Sequence, residues 1–146
     1  MPSVYVAGAV AEVERSARMV ERLRDAGCTI THDWASQVLA APDVREECLG
    51  TNARRQIVND SLGGVAQADV IVFLVPATAS GRGSWFEVGY AQGIIQFRER
   101  SGSRGCGPPI VIACGDTSCS VFVECATERF ESDEAAVAWI RGRYAQ

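Results

Sequence analysis

The sequence is short of the residues that mark a metal, disulfide or membrane protein. Its only histidine is His32, and none of its six cysteines stands in a Cys-x-x-Cys pair, so neither a metal centre nor a disulfide framework is favoured. No apolar run approaches the roughly 20 residues that a membrane helix needs, and the first residues lack a basic signal region. We therefore expect reduced thiols, no metal, no cofactor and a cytoplasmic protein.

A concentration of charge of one sign is also missing. The net charge is −4, and acidic and basic residues are interspersed rather than collected into a basic stripe, which argues against tight binding to a nucleic acid polymer. The chain does have an apolar fraction of 47% over 146 residues. That length and composition predict one globular domain, 1–146, with a single packed core.

Apolar residues recur with strand and helix periods in alternation. The pattern predicts strands at 4–7, 28–31, 68–76, 109–114 and 121–124, with Cys28 and Cys114 as core residues. It predicts helices at 13–23, at 52–67, after the turn 81–84 and after a cap at Ser132. On the second helix Ile57, Val58, Leu62 and Val65 share an apolar side, and on the third Phe86, Tyr90 and Ile94 do so. We interpret 35–50 as a loop or lid and 98–107 as a mobile surface loop.

This alternation predicts an α/β fold of the flavodoxin-like, doubly wound class. Five parallel strands with right-handed crossovers place helices on both faces of the sheet. In such sheets ligands bind beyond the carboxyl ends of the strands, near the switch between the first and third strands. Segments 5–9, 33–34 and 76–87 are therefore expected to meet there.

A glycine-containing turn, GRGSWFEVGY at 81–90, leads into the helix that carries Glu87. Ser84 and Glu87 have the Ser-x-x-Glu spacing of a capping box, in which the two side chains satisfy free backbone donors at a helix start. From local pattern alone that structural interpretation is favoured over a catalytic one.

The longer pattern changes this interpretation. ADVIVFLVP at 68–76, the glycine-rich turn and WFEVGYAQG at 85–93 together resemble the central motif of the nucleoside 2-deoxyribosyltransferase family, which includes nucleotide N-hydrolases. VYVAG at 4–8 is similar to the family's first strand, and 59–62 to its Asp-bearing helix. The resemblance implies that Glu87 is the nucleophile, that no cofactor is needed and that the protein is a homo-oligomer, at least a dimer.

The chemistry implied by the resemblance needs more than one group. Displacing a base from an anomeric carbon passes through an oxocarbenium-like state that a carboxylate such as Glu87 stabilises and traps. The leaving base needs a proton or a hydrogen bond, for which Asp60 is the candidate, and the Tyr5 hydroxyl is expected to orient Glu87. The structural alternatives are a solvated helix residue for Asp60 and a core aromatic for Tyr5.

The remaining expected contacts are with the substrate. Gly8 ends the first strand at the switch point, Trp34 is placed to stack on a base and Asp33 to read the base edge. For a 5′ phosphate we expect Gly83 and Ser84 at the helix start. By family analogy, Ser120 of a neighbouring subunit would complete that site.

One departure from the family pattern leaves the acceptor and the phosphate state open. The transferases carry an Asp six residues before the nucleophile, where this chain has Gly81, while the monophosphate N-hydrolases have serines around that turn, as Ser80 and Ser84 are here. The sequence therefore predicts transfer of the sugar to another base or to water. The alternative is a non-catalytic nucleotide-binding or sensing module on the same fold, and a flavodoxin-type electron carrier is weaker still.

Overall fold

A five-stranded parallel sheet forms the centre of the fold. The computed structural model describes residues 1–43, 48–77, 81–102, 109–116 and 120–145. The strands are β1 (Ser3–Ala7), β2 (Thr29–Ile30), β3 (Val70–Leu74), β4 (Ile110–Cys114) and β5 (Glu128–Phe130). Their order is β2-β1-β3-β4-β5, with every neighbouring pair parallel, so the predicted flavodoxin-like sheet is confirmed.

Helices cover both faces of the sheet. They are α1 (Val13–Asp25), α2 (Trp34–Ala40), α3 (Thr51–Gln67), α4 (Arg82–Ser101) and α5 (Asp133–Tyr144). α1 and α5 contribute to the core on one face, and α3 and α4 to the core on the other. None of these helices is long and apolar enough, within the residues described, to cross a membrane.

Alternate side chains of each central strand enter the two cores. Val4 and Val6 of β1 face α1 and α5, whereas Tyr5 and Ala7 face α3 and α4. All five residues of β3 are buried, as the continuous apolar run of a central parallel strand predicts. Cys28 and Cys114 are free and buried, as predicted.

The structure corrects the predicted boundaries at three places. The stretch 35–50 contains α2, because the Asp33 carboxylate accepts the Ser36 N–H at 3.0 Å and caps the helix; residues 44–47 of it lie outside the described part. The fifth strand is not at 121–124, where a 3₁₀ helix (Val121–Cys125) stands. α4 continues to Ser101, and residues 103–107 of the predicted surface loop lie outside the described residues.

Candidate active site

A hydrogen bond joins the first strand to the fourth helix at the switch point of the sheet. The Tyr5 hydroxyl donates to Glu87 Oε1 at 2.7 Å. Burial raises the pKa of Glu87 to about 7, although hydrogen bonds from Tyr5 and Ser61 act in the opposite direction. Burial and the adjacent Glu87 charge raise the pKa of Tyr5 far above its usual value, so it stays a neutral donor. Its aromatic ring is wholly buried, so Tyr5 is both a core aromatic and a partner of Glu87.

The third member of this group is Ser61, which the sequence analysis did not single out. The Ser61 side chain is near both groups and acts to lower the pKa of each. Asp60, the predicted proton donor, is exposed, and its Oδ1 accepts a hydrogen bond from Gln56 at 2.7 Å. Consecutive helical residues point about 100° apart, so Asp60 and Ser61 leave α3 in different directions. The role of Asp60 as proton donor or substrate anchor stays a prediction.

A close approach between α3 and β1 brings Ser61 to the site. A Cβ on Gly64 would lie 2.8 Å from both His32 Cβ and Tyr5 Cδ2, which is closer than carbon atoms pack. Only glycine lets α3 rest on the Tyr5 ring at this point. The sequence shows Gly64 as a weak position near the end of a predicted helix, but it does not indicate the contact of this residue with Tyr5.

The turn before Glu87 does not form the predicted capping box. The N-cap of α4 is Gly81, at φ 94°, and no side chain caps the helix. Ser84 is 1% exposed and its Oγ donates to the Gly81 carbonyl at 2.7 Å. Glu87 therefore lies in the second turn of α4, and its carboxylate is directed to Tyr5.

Gly81 also explains why the chain departs from the transferase pattern at this position. Its φ lies in the left-handed region, and a Cβ there would stand 2.6 Å from Pro76 Cγ. An aspartate at position 81 would strain the backbone and collide with the proline ring. The turn has a shape that requires glycine.

Gly8 and Trp34 lie together at the carboxyl end of β1. The Trp34 indole N–H donates to the Val6 carbonyl at 2.8 Å, and a Cβ on Gly8 would lie 3.5 Å from Trp34 Cζ2. Trp34 packs against the core cluster that contains Tyr5 and Val88. The indole is thus fixed on the same face of the sheet as Tyr5.

Asp33 is engaged by neighbouring residues. Besides capping α2, its carboxylate accepts the Ser36 hydroxyl at 2.8 Å and pairs with Arg24 at 2.8 Å. Burial alone raises the pKa of Asp33, but these hydrogen bonds outweigh it, and the net pKa is lowered. These contacts give Asp33 a structural role at the start of α2, and reading of a base edge stays a prediction.

The other residues expected to contact a phosphate are Gly83 and Ser120. Gly83 is exposed, and a Cβ added there would meet nothing within 4 Å. Ser120 precedes the 3₁₀ helix, where its carbonyl accepts from the Val123 N–H at 3.1 Å. Ser80 lies outside the described residues. The roles of these residues toward a substrate stay predictions.

Arg15 connects the carboxyl ends of the two central strands, β3 and β4, through hydrogen bonds. Its guanidinium donates to the carbonyls of Val75 at 3.1 Å and Cys114 at 3.2 Å, and to both carboxylate oxygens of Asp133. These bonds tie the ends of β3 and β4 to α1 and α5. We refer to Arg15, Glu12 and Asp133 as the Arg15 clasp.

The Arg15 clasp extends to the segment that leads into α4. Glu12 lies 3.5 Å from Arg15 and accepts the Ala77 N–H at 2.8 Å. The Arg15 clasp therefore holds the start of the β3–α4 connection, and through it the approach to Glu87.

This arrangement suits attack by a carboxylate on an electrophilic carbon. Glu87 is mostly buried, which strengthens its interaction with a developing positive charge. The Tyr5 hydroxyl holds its orientation through a hydrogen bond. A titratable group with a perturbed pKa at the switch point of a parallel sheet is a typical mark of an active site.

Comparisons with known proteins agree with this geometry. The family model described as nucleoside 2-deoxyribosyltransferase matches residues 4–132. The structure is similar to that of the Clostridium botulinum CMP N-glycosidase BcmB, with a TM-score of 0.54 and 9% sequence identity over 97% of this chain and 98% of that one. At this identity the likeness shows a shared fold. Comparison with curated proteins gives no significant match.

Proposed function

Since the chain belongs to the nucleoside 2-deoxyribosyltransferase family, we propose that it cleaves the N-glycosidic bond of a nucleoside or nucleotide through attack of Glu87 on the anomeric carbon. The observation that carries the proposal is the partly buried hydrogen bond of 2.7 Å between the Tyr5 hydroxyl and Glu87. That bond leaves Glu87 Oε2 free of the Tyr5 contact and fixes the plane of its carboxyl group. A fixed carboxylate is what an in-line displacement at a sugar carbon requires.

The reaction would proceed in two displacements. In the first, an oxygen of ionised Glu87 bonds to C1′ while the C1′–N bond breaks, and the base departs with the bonding electrons and takes up a proton, for which Asp60 is the proposed donor. In the second, a water molecule or another base attacks C1′ and gives up a proton, and the bond to Glu87 breaks to restore the carboxylate. Water gives hydrolysis, and a base gives a new nucleoside. Tyr5 serves as a neutral hydrogen-bond donor that orients Glu87 in both steps.

Product analysis distinguishes the two reactions from a binding module. The protein is incubated with deoxynucleosides, ribonucleosides and their 5′-monophosphates, with and without a second free base, and the products are separated. A new nucleoside indicates transfer, and free base plus sugar indicates hydrolysis. No product over the panel, with retained nucleotide binding, would favour the non-catalytic module and contradict the proposal.

A matched pair of variants assigns the activity to the site. Glu87→Ala is expected to lose at least about 1,000-fold in kcat, because the nucleophile is removed. Glu99→Ala, an exposed position on the same helix, serves as the control and should stay near the parent rate. Circular dichroism of both variants shows whether the fold is retained.

We further propose that a second copy of the chain covers the open side of the site. Every residue from 51 to 60, the first part of α3, is exposed, including Ile57 at 49% and Val58 at 50%. On α4, Phe86 and Phe97 are 64% and 70% exposed. Large apolar side chains exposed on both helices support a protein interface, and these helices also bear Ser61 and Glu87.

The oligomer is tested by light scattering at micromolar concentration. We expect at least two chains, and Phe97→Glu should shift the mass toward one chain. Leu39→Glu, which places the same charge on a partly exposed apolar residue of α2, should leave the mass unchanged. A monomeric and fully active parent protein would contradict the proposal.

Whether the substrate carries a 5′ phosphate is tested by kinetics on a nucleoside and its 5′-monophosphate. The expected contacts are the start of α4 at Gly83 and Ser84, with Ser120 from the second copy. The Ser84 hydroxyl donates to the Gly81 carbonyl, so a phosphate, which accepts hydrogen bonds, would have to bind backbone N–H groups or a rotated Ser84 hydroxyl. Values of kcat/KM for a nucleoside and its 5′-monophosphate, in the parent protein and in Ser120→Ala, decide the point. Equal loss on both compounds would exclude a phosphate contact.

A further inference from the structure

Two chain connections meet at the carboxyl end of the sheet. Glu12 ends the short 3₁₀ turn (Val10–Glu12) between β1 and α1, and its Oε1 accepts the Ala77 N–H, at the start of the β3–α4 connection, at 2.8 Å. The Glu12 side chain is 22% exposed. A hydrogen bond from a backbone N–H to a carboxylate is charge-assisted and stronger than one between neutral groups.

The β1–α1 connection also contacts the far end of the β3–α4 connection. A Cβ on Gly81 would lie 3.2 Å from Ala9 Cβ and 2.6 Å from Pro76 Cγ, so the three residues pack closely. The Gly81 carbonyl accepts the Trp85 N–H at 3.2 Å, which begins α4. The start and the end of the β3–α4 connection are therefore both held against the segment that follows β1.

Arg15 orients Glu12 for its contact with Ala77. Arg15 Nη1 lies 3.5 Å from Glu12 Oε2 and donates to the Val75 carbonyl at 3.1 Å. Its Nη2 pairs with Asp133 at 2.7 Å. Glu12 thus directs one carboxylate oxygen to Arg15 and the other to Ala77. Two neighbouring points of one segment, Val75 and Ala77, are held in this way.

Resting on the proposed function, we infer that Glu12 is a positioning residue, which fixes the start of α4 through Ala77 and thereby places Glu87 for attack. Glu12 does not contact the reacting carbon in this scheme. It acts only through the position of Glu87, whose carboxyl group must lie in line with the bond that breaks.

A second fixed point explains why the start of α4 matters for Glu87. The Trp85 ring meets the Phe73 ring of β3 edge to face, with 4.7 Å between the ring centroids. Two fixed points near the first turn set the direction of the helix axis, and with only one of them the helix can tilt about it. A displacement of about 1 Å at the reacting groups can cost about 100-fold in rate.

Two conservative variants separate the reach of Glu12 from its charge. Glu12→Gln keeps an oxygen at the distance that Ala77 needs but removes the charge that faces Arg15. Glu12→Asp keeps the charge but is one methylene group shorter. We expect kcat to fall at least about tenfold in Glu12→Asp with KM changed less than about threefold, because attack depends on alignment more than substrate binding does. Glu12→Gln should keep kcat within about threefold of the parent protein.

The control removes a carboxylate from the first turn of α1. Glu14 is 81% exposed and lies 3.9 Å from Arg18, and Glu14→Ala should keep the parent kcat. A loss in Glu12→Gln as large as in Glu12→Asp would show that the pairing with Arg15 is what matters, and it would overturn the inference. Equal kcat in Glu12→Asp and Glu14→Ala would overturn it as well.

Amide hydrogen exchange tests the placement of α4 without a substrate. Exchange in residues 82–88, the first turns of α4, should be at least about tenfold faster in Glu12→Asp and unchanged in Glu12→Gln and Glu14→Ala. Unchanged exchange in Glu12→Asp overturns the inference whether or not the protein is active. Faster exchange with an unchanged kcat also overturns it, and the proposed function then stands. A parent protein that cleaves no nucleoside or nucleotide overturns the proposed function instead.

Discussion

The Tyr5 hydroxyl and the Glu87 carboxylate, 82 residues apart in the chain, lie 2.7 Å from each other where β1 meets α4. The sheet brings them together because Tyr5 alternates onto the α3 and α4 face and Glu87 lies in the second turn of α4. Neither element alone makes a site. Their junction gives a carboxylate that is buried, oriented and close to its titration point at neutral pH.

Tyr5→Phe should weaken catalysis and move its pH dependence. The Tyr5 hydrogen bond lowers the pKa of Glu87, so its removal raises that pKa further, and the acidic limb of kcat/KM should shift to higher pH. A hydrogen bond to a charged group contributes about 1.5–3 kcal/mol, which corresponds to a loss of roughly 10–100-fold. Initial rates from pH 5 to 9 give both quantities, and an unshifted limb would show that Tyr5 only fills space.

Glu87→Gln should stabilise the fold in a pH-dependent way. The pKa of Glu87 is raised from 4.5 to about 7, so between these values the folded state holds a proton that the unfolded state has lost. The stability of the parent protein therefore falls as pH rises through this window, by about 3 kcal/mol at most. The amide of the variant does not titrate, so its advantage in urea unfolding should be present at pH 8 and vanish at pH 4. An equal difference at both pH values would contradict the assignment.

Adjacent glycines on α3 should respond to alanine in opposite directions. A Cβ at position 64 meets Tyr5 and His32 at 2.8 Å, whereas at position 63 the nearest atom is Gln67 Nε2 at 3.9 Å. Gly63→Ala should stabilise the helix by up to about 1 kcal/mol. Gly64→Ala should destabilise the protein by about 1–3 kcal/mol and lower activity, because it displaces the Tyr5 ring. Thermal unfolding compares the two, and equal effects would contradict the close approach.

The Arg15 clasp should contribute far more to stability than a surface ion pair on the same helix. Arg15→Ala leaves two strand-end carbonyls and the Asp133 carboxylate without their donor, at a cost of about 3 kcal/mol. Arg18 pairs with Glu14 at 3.9 Å with both side chains largely exposed, and Arg18→Ala should cost less than about 0.5 kcal/mol. The urea unfolding midpoints of the two variants measure these costs. Similar midpoints would show that the Arg15 clasp contributes no more to stability than the surface ion pair.

The sequence was sufficient for the central strands and for the contact between Tyr5 and Glu87, but not for the rotation of α3 about its axis. The helix was expected to bury Ile57 and Val58, yet both are half exposed, and its buried residues are Gly64 and Val65. The resemblance that singled out Asp60 did not indicate that the neighbouring Ser61 lies near Tyr5 and Glu87. If a second copy covers the exposed side of α3, the apolar residues of this helix serve two interfaces, one with the sheet and one with the second copy.

Short edge elements escaped prediction for a different reason. β5 has only three residues, Glu128–Phe130, two of them charged, so it carries no apolar run for a pattern to detect. The neighbouring VFVEC at 121–125 has the composition of a strand but forms a 3₁₀ helix. In both cases tertiary context overrode local preference: 128–130 pairs with β4 at the sheet edge, and 121–125 does not.

The identity of the nucleophile is tested most directly by trapping the covalent intermediate. A 2-fluoroarabinosyl derivative of the best base in the activity panel slows the second displacement more than the first, so the glycosyl enzyme accumulates. Peptide mapping by mass spectrometry should then show the added sugar on Glu87, and no adduct in Glu87→Ala. Release of base without any adduct on Glu87, together with turnover in Glu87→Ala within tenfold of the parent, would contradict the account.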